Sequence, residues 1–176
     1  MPGQALGAAS KQSLYTAEQR RRRDSSKWTL VQGILAPLQF AVFLVSLGLV
    51  VRFLMTGEGE QAATLSIVIK TLTLYTIMIT GSIWEKDVFG QYLFADAFYW
   101  EDVFSMLVLA LHTAYLLCLF TGYLGVNSQM FLALAAYATY LINAAQFILK
   151  LRAARLDAQR ASPSPPLGQS FAEASS

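Results

Sequence analysis

The stretch "LVQGILAPLQFAVFLVSLGLVVRFLM", residues 30–55, contains a single charged residue, Arg52. About 20 mostly apolar residues in an α-helix cross a bilayer core of roughly 30 Å. The stretch therefore predicts a membrane-spanning helix, and comparable runs follow at 61–83, 100–124 and 128–150. With 55% hydrophobic and only 14% charged residues in the whole chain, the sequence predicts an all-α integral membrane four-helix bundle over residues 28–152.

Cations flank the bundle unevenly. Arginines at 20–23 and Lys27 precede the first run, and further cations follow the last run at 150, 152, 155 and 160, whereas the connections at 56–61 and 121–129 contain no lysine or arginine. The positive-inside rule then predicts that both termini and the 84–101 connection lie in the cytoplasm. Residues 1–27 and 153–176 are expected to be disordered cytoplasmic tails, because they are polar, charged or rich in proline and serine.

The connection is unusual in composition. "SIWEKDVFGQYLFADAFYWED", residues 82–102, holds five carboxylates and seven aromatic residues between two very apolar runs. On the third helix, Glu101, Ser105, Val108, His112 and Tyr115 recur at steps of four and three residues, which places them in one stripe. Comparable stripes are predicted on the second helix (Thr71, Tyr75, Met78, Ser82 and Glu85) and on the fourth (Tyr140, Asn143 and Gln146). Together they predict a pocket between the helices that opens at this connection.

Ionisable residues at membrane depth are expensive and commonly functional. At about 1.5 Å of rise per residue, Lys70 lies roughly 20 Å and His112 roughly 18 Å from the cytoplasmic ends of their helices. These two residues are therefore expected at similar depth, with Gln39, Tyr75 and Tyr140 nearby. Non-functional explanations are also open: Lys70 could extend its ammonium to the membrane surface, and His112 could be a neutral histidine that links two helices.

Several chemistries are excluded by residue counts and motifs. The single histidine and single cysteine cannot build the usual zinc, bis-histidine haem or iron–sulfur sites. "TGEGE", residues 56–60, lacks the GK[ST] of a phosphate-binding loop. Proton chemistry on an apolar, flat substrate remains.

Long segments of the chain resemble the 3-vinyl bacteriochlorophyllide hydratase family of phototrophic bacteria. They are "YTAEQRRRRDSSKWTLVQGILAPLQF" (15–40), "VIKTLTLYTIMITGSIWEKDVFGQYLFADAFYWEDVFS" (68–105), "LHTAYL" (111–116) and "QMFLALAAYATYLINAAQFILKLRAARL" (129–156). The resemblance implies a hydro-lyase of bacteriochlorophyll biosynthesis that adds water to the C3-vinyl group of chlorophyllide a or 3-vinyl bacteriochlorophyllide a. It also implies that the protein lies in the bacterial inner or intracytoplasmic photosynthetic membrane. Its expected partners are lipid and other enzymes of that biosynthesis, and it is not expected to bind nucleic acid. No cofactor is expected, because hydration moves no electrons and the magnesium belongs to the substrate.

The roles of single residues follow from the chemistry of this reaction. The vinyl group needs an acid that stays protonated near neutral pH, and both desolvation and a neighbouring carboxylate raise the pKa of a carboxyl group. Adjacent helical residues point about 100° apart, so we expect one of Glu101 and Asp102, namely Glu101, to face the polar stripe. His112 is expected either as axial ligand to the substrate magnesium or as a proton relay. Lys70 or a cytoplasmic arginine is expected to pair with the substrate propionate, and aromatic residues are expected to stack on the ring. The expected catalytic residues are Glu85, Glu101, Asp102, His112 and Tyr115, and the expected substrate-binding residues are Gln39, Lys70, Tyr75, Tyr92, Phe98, Tyr99, Tyr140 and Asn143.

Two other classes stay open at this point. A small four-helix transporter would use Glu85 or Lys70 as its coupling charge, although the acids here are predicted at the membrane surface. A non-catalytic pigment-binding or assembly subunit would hold a chlorin at His112 and convert nothing.

Overall fold

The computed structural model describes residues 14–161, which form five helices and contain no strand. A short helix α1 (Ala17–Ser25) precedes four long ones: α2 (Lys27–Thr56), α3 (Glu60–Phe89), α4 (Tyr99–Thr121) and α5 (Val126–Ala161). The four long helices are each long and apolar enough to cross a membrane. The all-α, four-span architecture predicted from the apolar runs is confirmed.

The long helices alternate in direction. We call the end that carries the loop 90–98 the long-loop end; α1, the start of α2 and the end of α5 share it. The connections 57–59 and 122–125 lie at the short-loop end. α2 packs most extensively on α3 and α4 on α5, and the two hairpins contact each other less. The bundle is therefore two antiparallel hairpins laid side by side.

Three of the four long helices exceed the predicted apolar runs, mostly at the long-loop end, whereas α4 ends at Thr121, three residues before the predicted run does. α3 continues past residue 83 to Phe89, where Gly90 adopts the left-handed conformation (φ 88°) and ends the helix. Thirty residues span about 45 Å, which is longer than the apolar core of a bilayer. Hydropathy detects only the part in lipid, so the expected connection 84–101 narrows to a loop at 90–98.

Parts of both expected disordered tails are helical, because α1 lies within the N-terminal tail and α5 continues to Ala161 in the C-terminal one. Thr16 accepts a hydrogen bond from the backbone N–H of Gln19 while the Gln19 side chain accepts one from the N–H of Thr16, a reciprocal cap that starts α1. Tyr15, just before it, packs on Phe89 and Phe98. The remaining parts of the predicted tails, 1–13 and 162–176, lie outside the described residues.

Candidate active site

Two carboxyl groups meet at the long-loop end. Glu85 lies near the end of α3 and Asp102 in the first turn of α4, and they are 5% and 3% exposed. The two carboxyl groups lie close enough to interact with each other. Two neighbouring buried carboxyl groups cannot both ionise at low cost, so the pair is suited to share a single proton away from bulk water.

The loop 90–98 fixes this pair with its backbone. The N–H of Phe94 donates to Oδ2 of Asp102 at 2.7 Å, and the N–H of Ala95 donates to Oε2 of Glu85 at 3.4 Å. Phe94 has φ 61°, a left-handed conformation that is uncommon for a residue with a side chain. The carboxylates and the loop thus hold each other in one geometry.

Glu101 has a different partner from its neighbour. Its Oε2 lies 2.6 Å from Nζ of Lys150 on α5, and the two side chains are 11% and 27% exposed. The expectation that Glu101 alone would face the interior is wrong, because Asp102 is also buried and is the residue that meets Glu85. Because adjacent helical residues point about 100° apart, Glu101 pairs with Lys150 while Asp102 meets Glu85.

The aromatic residues divide into an inner and an outer group. Phe98 is 1% exposed and packs on the rings of Trp84, Phe89 and Phe147. Tyr92 and Tyr99 are 59% and 47% exposed. Of the rings expected to bind the substrate, Phe98 therefore forms part of the packed wall beneath the carboxyl pair, and Tyr92 and Tyr99 face outward.

Tyr15 closes the inner aromatic group from the side of α1. The guanidinium of Arg23 lies 4.8 Å from its ring centroid. Burial raises the pKa of the Tyr15 hydroxyl, so this group stays neutral at physiological pH. The packing of Tyr15 thus attaches the N-terminal segment to the inner aromatic group.

The stripe predicted on α4 is buried along its whole length. Ser105 accepts a hydrogen bond at 2.8 Å from the side-chain amide of Asn143 on α5, and Val108 is fully buried. His112 lies about 15 Å along the helix from Asp102, and Tyr115 about 20 Å. Tyr115 is therefore not brought together with the carboxyl groups.

The stripe predicted on α3 is only partly buried. Thr71 and Glu85 face the interior, but Tyr75, Met78 and Ser82 are half-buried. The Tyr75 hydroxyl is 2.8 Å from Oγ1 of Thr113 and links α3 to α4. On α3, Lys70 is buried in the interior, whereas Tyr75 is not.

Each of the four long helices carries a buried polar or aromatic residue about halfway along it. We call Gln39, Lys70, His112 and Tyr140 the midspan cluster; the first three are at most 1% exposed and Tyr140 is 9% exposed. Nζ of Lys70 lies 3.8 Å from the Tyr140 ring centroid. The similar depth predicted for Lys70 and His112 brings them within electrostatic range of each other. The pocket was expected between the helices, with its opening at the long-loop end; at midspan depth that space is filled by these buried side chains.

The midspan cluster holds polar atoms without hydrogen-bond partners. Among residues 14–161 these include both amide atoms of Gln39, Nζ of Lys70 and Nε2 of His112. Nδ1 of His112 is 2.8 Å from the carbonyl oxygen of Val108. A carbonyl only accepts, so Nδ1 carries the hydrogen and Nε2 has a free lone pair that could bind a metal. Buried polar atoms are almost always satisfied, so the cluster suits a polar guest.

The sequence reasoning missed Lys150, which it counted only as one of the topology-setting cations. Lys150 lies four residues after Gln146 and thus continues the predicted α5 stripe of Tyr140, Asn143 and Gln146 toward the long-loop end. Helical periodicity could have found it.

The family-model comparison gives the decisive observation. The family model described as 2-vinyl bacteriochlorophyllide hydratase matches residues 15–153. The chain belongs to this family. Its name and the 3-vinyl name used above differ only in wording, and the matched span contains every candidate residue described here.

Two curated hydratases are similar to the chain over most of its length. A "2-vinyl bacteriochlorophyllide hydratase" of Rhodobacter capsulatus is 72% identical over 149 residues, which is 85% of this chain and 86% of the relative. A protein of the same name from Cereibacter sphaeroides is 69% identical over 154 residues, 88% of this chain and 96% of the relative. No solved structure matches the chain.

Proposed function

We propose that this protein is a membrane-embedded hydro-lyase of bacteriochlorophyll biosynthesis. It adds water to the C3-vinyl group of chlorophyllide a or 3-vinyl bacteriochlorophyllide a and gives the 3-(1-hydroxyethyl) derivative. The observation that carries the proposal is the match to the hydratase family over residues 15–153.

The carboxyl pair supplies the chemistry in this proposal. The protonated carboxyl of the Glu85–Asp102 pair gives its proton to the terminal vinyl carbon, which leaves a positive charge on the inner carbon that the conjugated ring shares. Donation leaves both carboxyl groups ionised. Water then adds at the inner carbon and gives one of its protons back to the pair. The pair ends as it began, so the reaction needs no cofactor.

Glu101 has a different role in this scheme from the general acid first expected. Its carboxylate is already paired with the Lys150 ammonium, 2.6 Å away on α5. Glu85 and Asp102, which share a proton with each other, are better suited to donate one.

The midspan cluster holds the ring in this proposal. Nε2 of His112 serves as axial ligand to the substrate magnesium, because Nδ1 is engaged by Val108. Gln39 and Lys70 offer hydrogen bonds to polar groups on the macrocycle, and the Tyr140 ring lies beside them. The substrate enters between the two hairpins, whose mutual contact is less extensive than the packing within each.

The same proposal assigns the surroundings. The cations that flank α2 and α5 favour a cytoplasmic long-loop end by the positive-inside rule, in a protein that crosses the bacterial inner or intracytoplasmic photosynthetic membrane. Lipid covers the outer helix faces, and other enzymes of the same biosynthesis deliver the substrate or take up the product.

The experiment is to incubate the purified protein with chlorophyllide a and follow the pigment by absorbance and mass. Hydration adds the mass of one water and shifts the absorption band to shorter wavelength as vinyl conjugation is lost. Pigment that binds to folded protein but keeps its mass would instead identify a pigment-binding subunit. Pigment that neither binds nor changes would return the transporter class to consideration.

A further inference from the structure

We infer that Lys150 binds the carboxylate of the substrate's propionate and so sets which end of the macrocycle enters the site. The inference rests on the proposed function, since it concerns the substrate named there. It assigns a specificity-determining role to a residue that neither donates nor accepts the reacting proton.

The position of Lys150 suits an anionic substrate group. Its side chain is 27% exposed, at the long-loop end of α5, so an incoming group can reach it. Nζ lies 5.1 Å from the centroid of the Phe98 ring, and the packing there removes the ammonium partly from water. A partly desolvated ammonium binds a carboxylate more strongly than an exposed one does.

Lys150 also keeps capacity for a second acceptor. An ammonium group has three N–H donors, and Glu101 takes one of them at 2.6 Å. A substrate carboxylate can use another, at the cost of repulsion from Glu101. Removal of the negative charge at Glu101 should therefore strengthen binding of an anionic substrate.

The location matches the shape of the substrate. In chlorophyllide, the vinyl and propionate groups are carried by neighbouring pyrrole rings, so the group that binds the propionate should lie within one macrocycle's width of the group that protonates the vinyl carbon. Lys150 is close enough to act electrostatically on Asp102 of the carboxyl pair. The propionate is the charged group of an otherwise apolar substrate, and the long-loop end places it at the edge of the apolar core.

The test compares chlorophyllide a with its propionate methyl ester. In the wild type, esterification should raise KM about tenfold, the size expected from the loss of one charge-assisted hydrogen bond. Lys150→Met should raise KM for the free acid by about the same factor, remove the difference between acid and ester, and leave kcat within about twofold. Lys150→Arg, which keeps the charge, should retain the difference.

Two further variants sharpen the comparison. Glu101→Gln should lower KM for the free acid and leave KM for the ester nearly unchanged. Lys86→Met is the matched control, because Lys86 is an exposed lysine near the same end whose Nζ lies 5.1 Å from the Tyr92 ring. It should behave as the wild type. Partition of the ester into detergent cancels, because the acid-to-ester ratio is compared between variants.

An unchanged acid-to-ester ratio in Lys150→Met would overturn the inference. So would a Glu101→Gln variant that loses turnover while keeping the ratio, since Glu101 would then be the acid and Lys150 its counter-ion. If Lys150→Met does not fold, the double variant Glu101→Gln/Lys150→Met, which leaves no unpaired carboxylate, gives the same comparison. If the wild type binds both pigments without converting them, the proposed function fails, and the ratio of the two dissociation constants still decides the role of Lys150.

Discussion

The long-loop end and the midspan cluster both bury ionisable side chains, but they satisfy them differently. Glu85 and Asp102 interact with each other and accept hydrogen bonds from the backbone N–H groups of Ala95 and Phe94, respectively. In the midspan cluster, Gln39 and Lys70 bury polar atoms that have no hydrogen-bond partner among the described residues. One region is complete by itself, whereas the other carries unmet hydrogen-bonding capacity.

This difference corresponds to two tasks of an enzyme site, which are proton transfer and ligand binding. A group that transfers a proton must be held in one geometry before the substrate arrives, because reorganisation in the transition state costs rate. A group that binds a ligand gains affinity if its polar atoms are satisfied only on binding. The structure thus favours chemistry at the carboxyl pair and recognition of the ring at the midspan cluster, and each half of this assignment can be tested separately.

The largest effect is expected from the carboxyl pair. Glu85→Gln and Asp102→Asn keep the shape of each side chain but remove the transferable proton or the carboxylate that receives it. We expect kcat to fall by about 10²- to 10⁴-fold in each, the usual contribution of a positioned acid or base. Steady-state turnover of chlorophyllide a measures this, with exposed Asp87→Asn at the same end as control.

The pair also holds the loop, and the same variants test whether it does only that. Glutamine at 85 can still accept the hydrogen bond from the N–H of Ala95. A merely structural role would therefore leave kcat near its wild-type value and raise KM or lower the melting temperature. That result would move the chemistry away from the long-loop end.

A smaller effect is expected from His112. If Nε2 binds the substrate magnesium, His112→Ala should weaken binding of chlorophyllide a about tenfold, the order of loss seen when support for a metal site is removed. Binding of the magnesium-free pigment should hardly change. Pigment absorbance titrations measure both, and saturating substrate should restore most of the turnover in the variant.

An equal loss with both pigments would argue against magnesium ligation. A fall in kcat at saturation would instead make His112 a proton relay, which would bring chemistry into the midspan cluster and erase the contrast between the two regions. The comparison of pigments with and without magnesium therefore tests the division of tasks directly.

The sequence was sufficient for the parts of the fold that depend on solvent. Four apolar runs predicted four spans, and the steps of three and four residues on α4 predicted its buried face from Glu101 to Tyr115. Both signals come from burial, which leaves a periodic record in the chain.

What the sequence could not predict depends on tertiary contacts. Asp102, and not Glu101, meets Glu85 because the loop 90–98 donates to both carboxyl groups through Phe94 and Ala95. Such backbone donors leave no pattern in the side chains. The extension of α3 to Phe89 was invisible for another reason, since hydropathy ends where lipid ends but the helix does not.

The smallest effect on turnover is expected from Lys70→Met. This substitution should slightly lower turnover and, at the same time, raise stability. Burial of an ammonium costs several kcal/mol, more than the about 2 kcal/mol that its contact with the Tyr140 ring can return. Methionine fills a similar volume without a polar atom, so the free energy of unfolding should rise by about 1–3 kcal/mol while kcat/KM falls a few-fold. Thermal unfolding in detergent measures the change in stability, and steady-state kinetics measure the change in kcat/KM.

Ser46→Ala is the matched control, because the Ser46 hydroxyl is buried but satisfied, at 2.7 Å from Ser66 and 2.6 Å from Tyr137. It should lose about 1 kcal/mol and keep its turnover. If Lys70→Met is less stable than the wild type, Lys70 holds the bundle together, and the midspan cluster is structural.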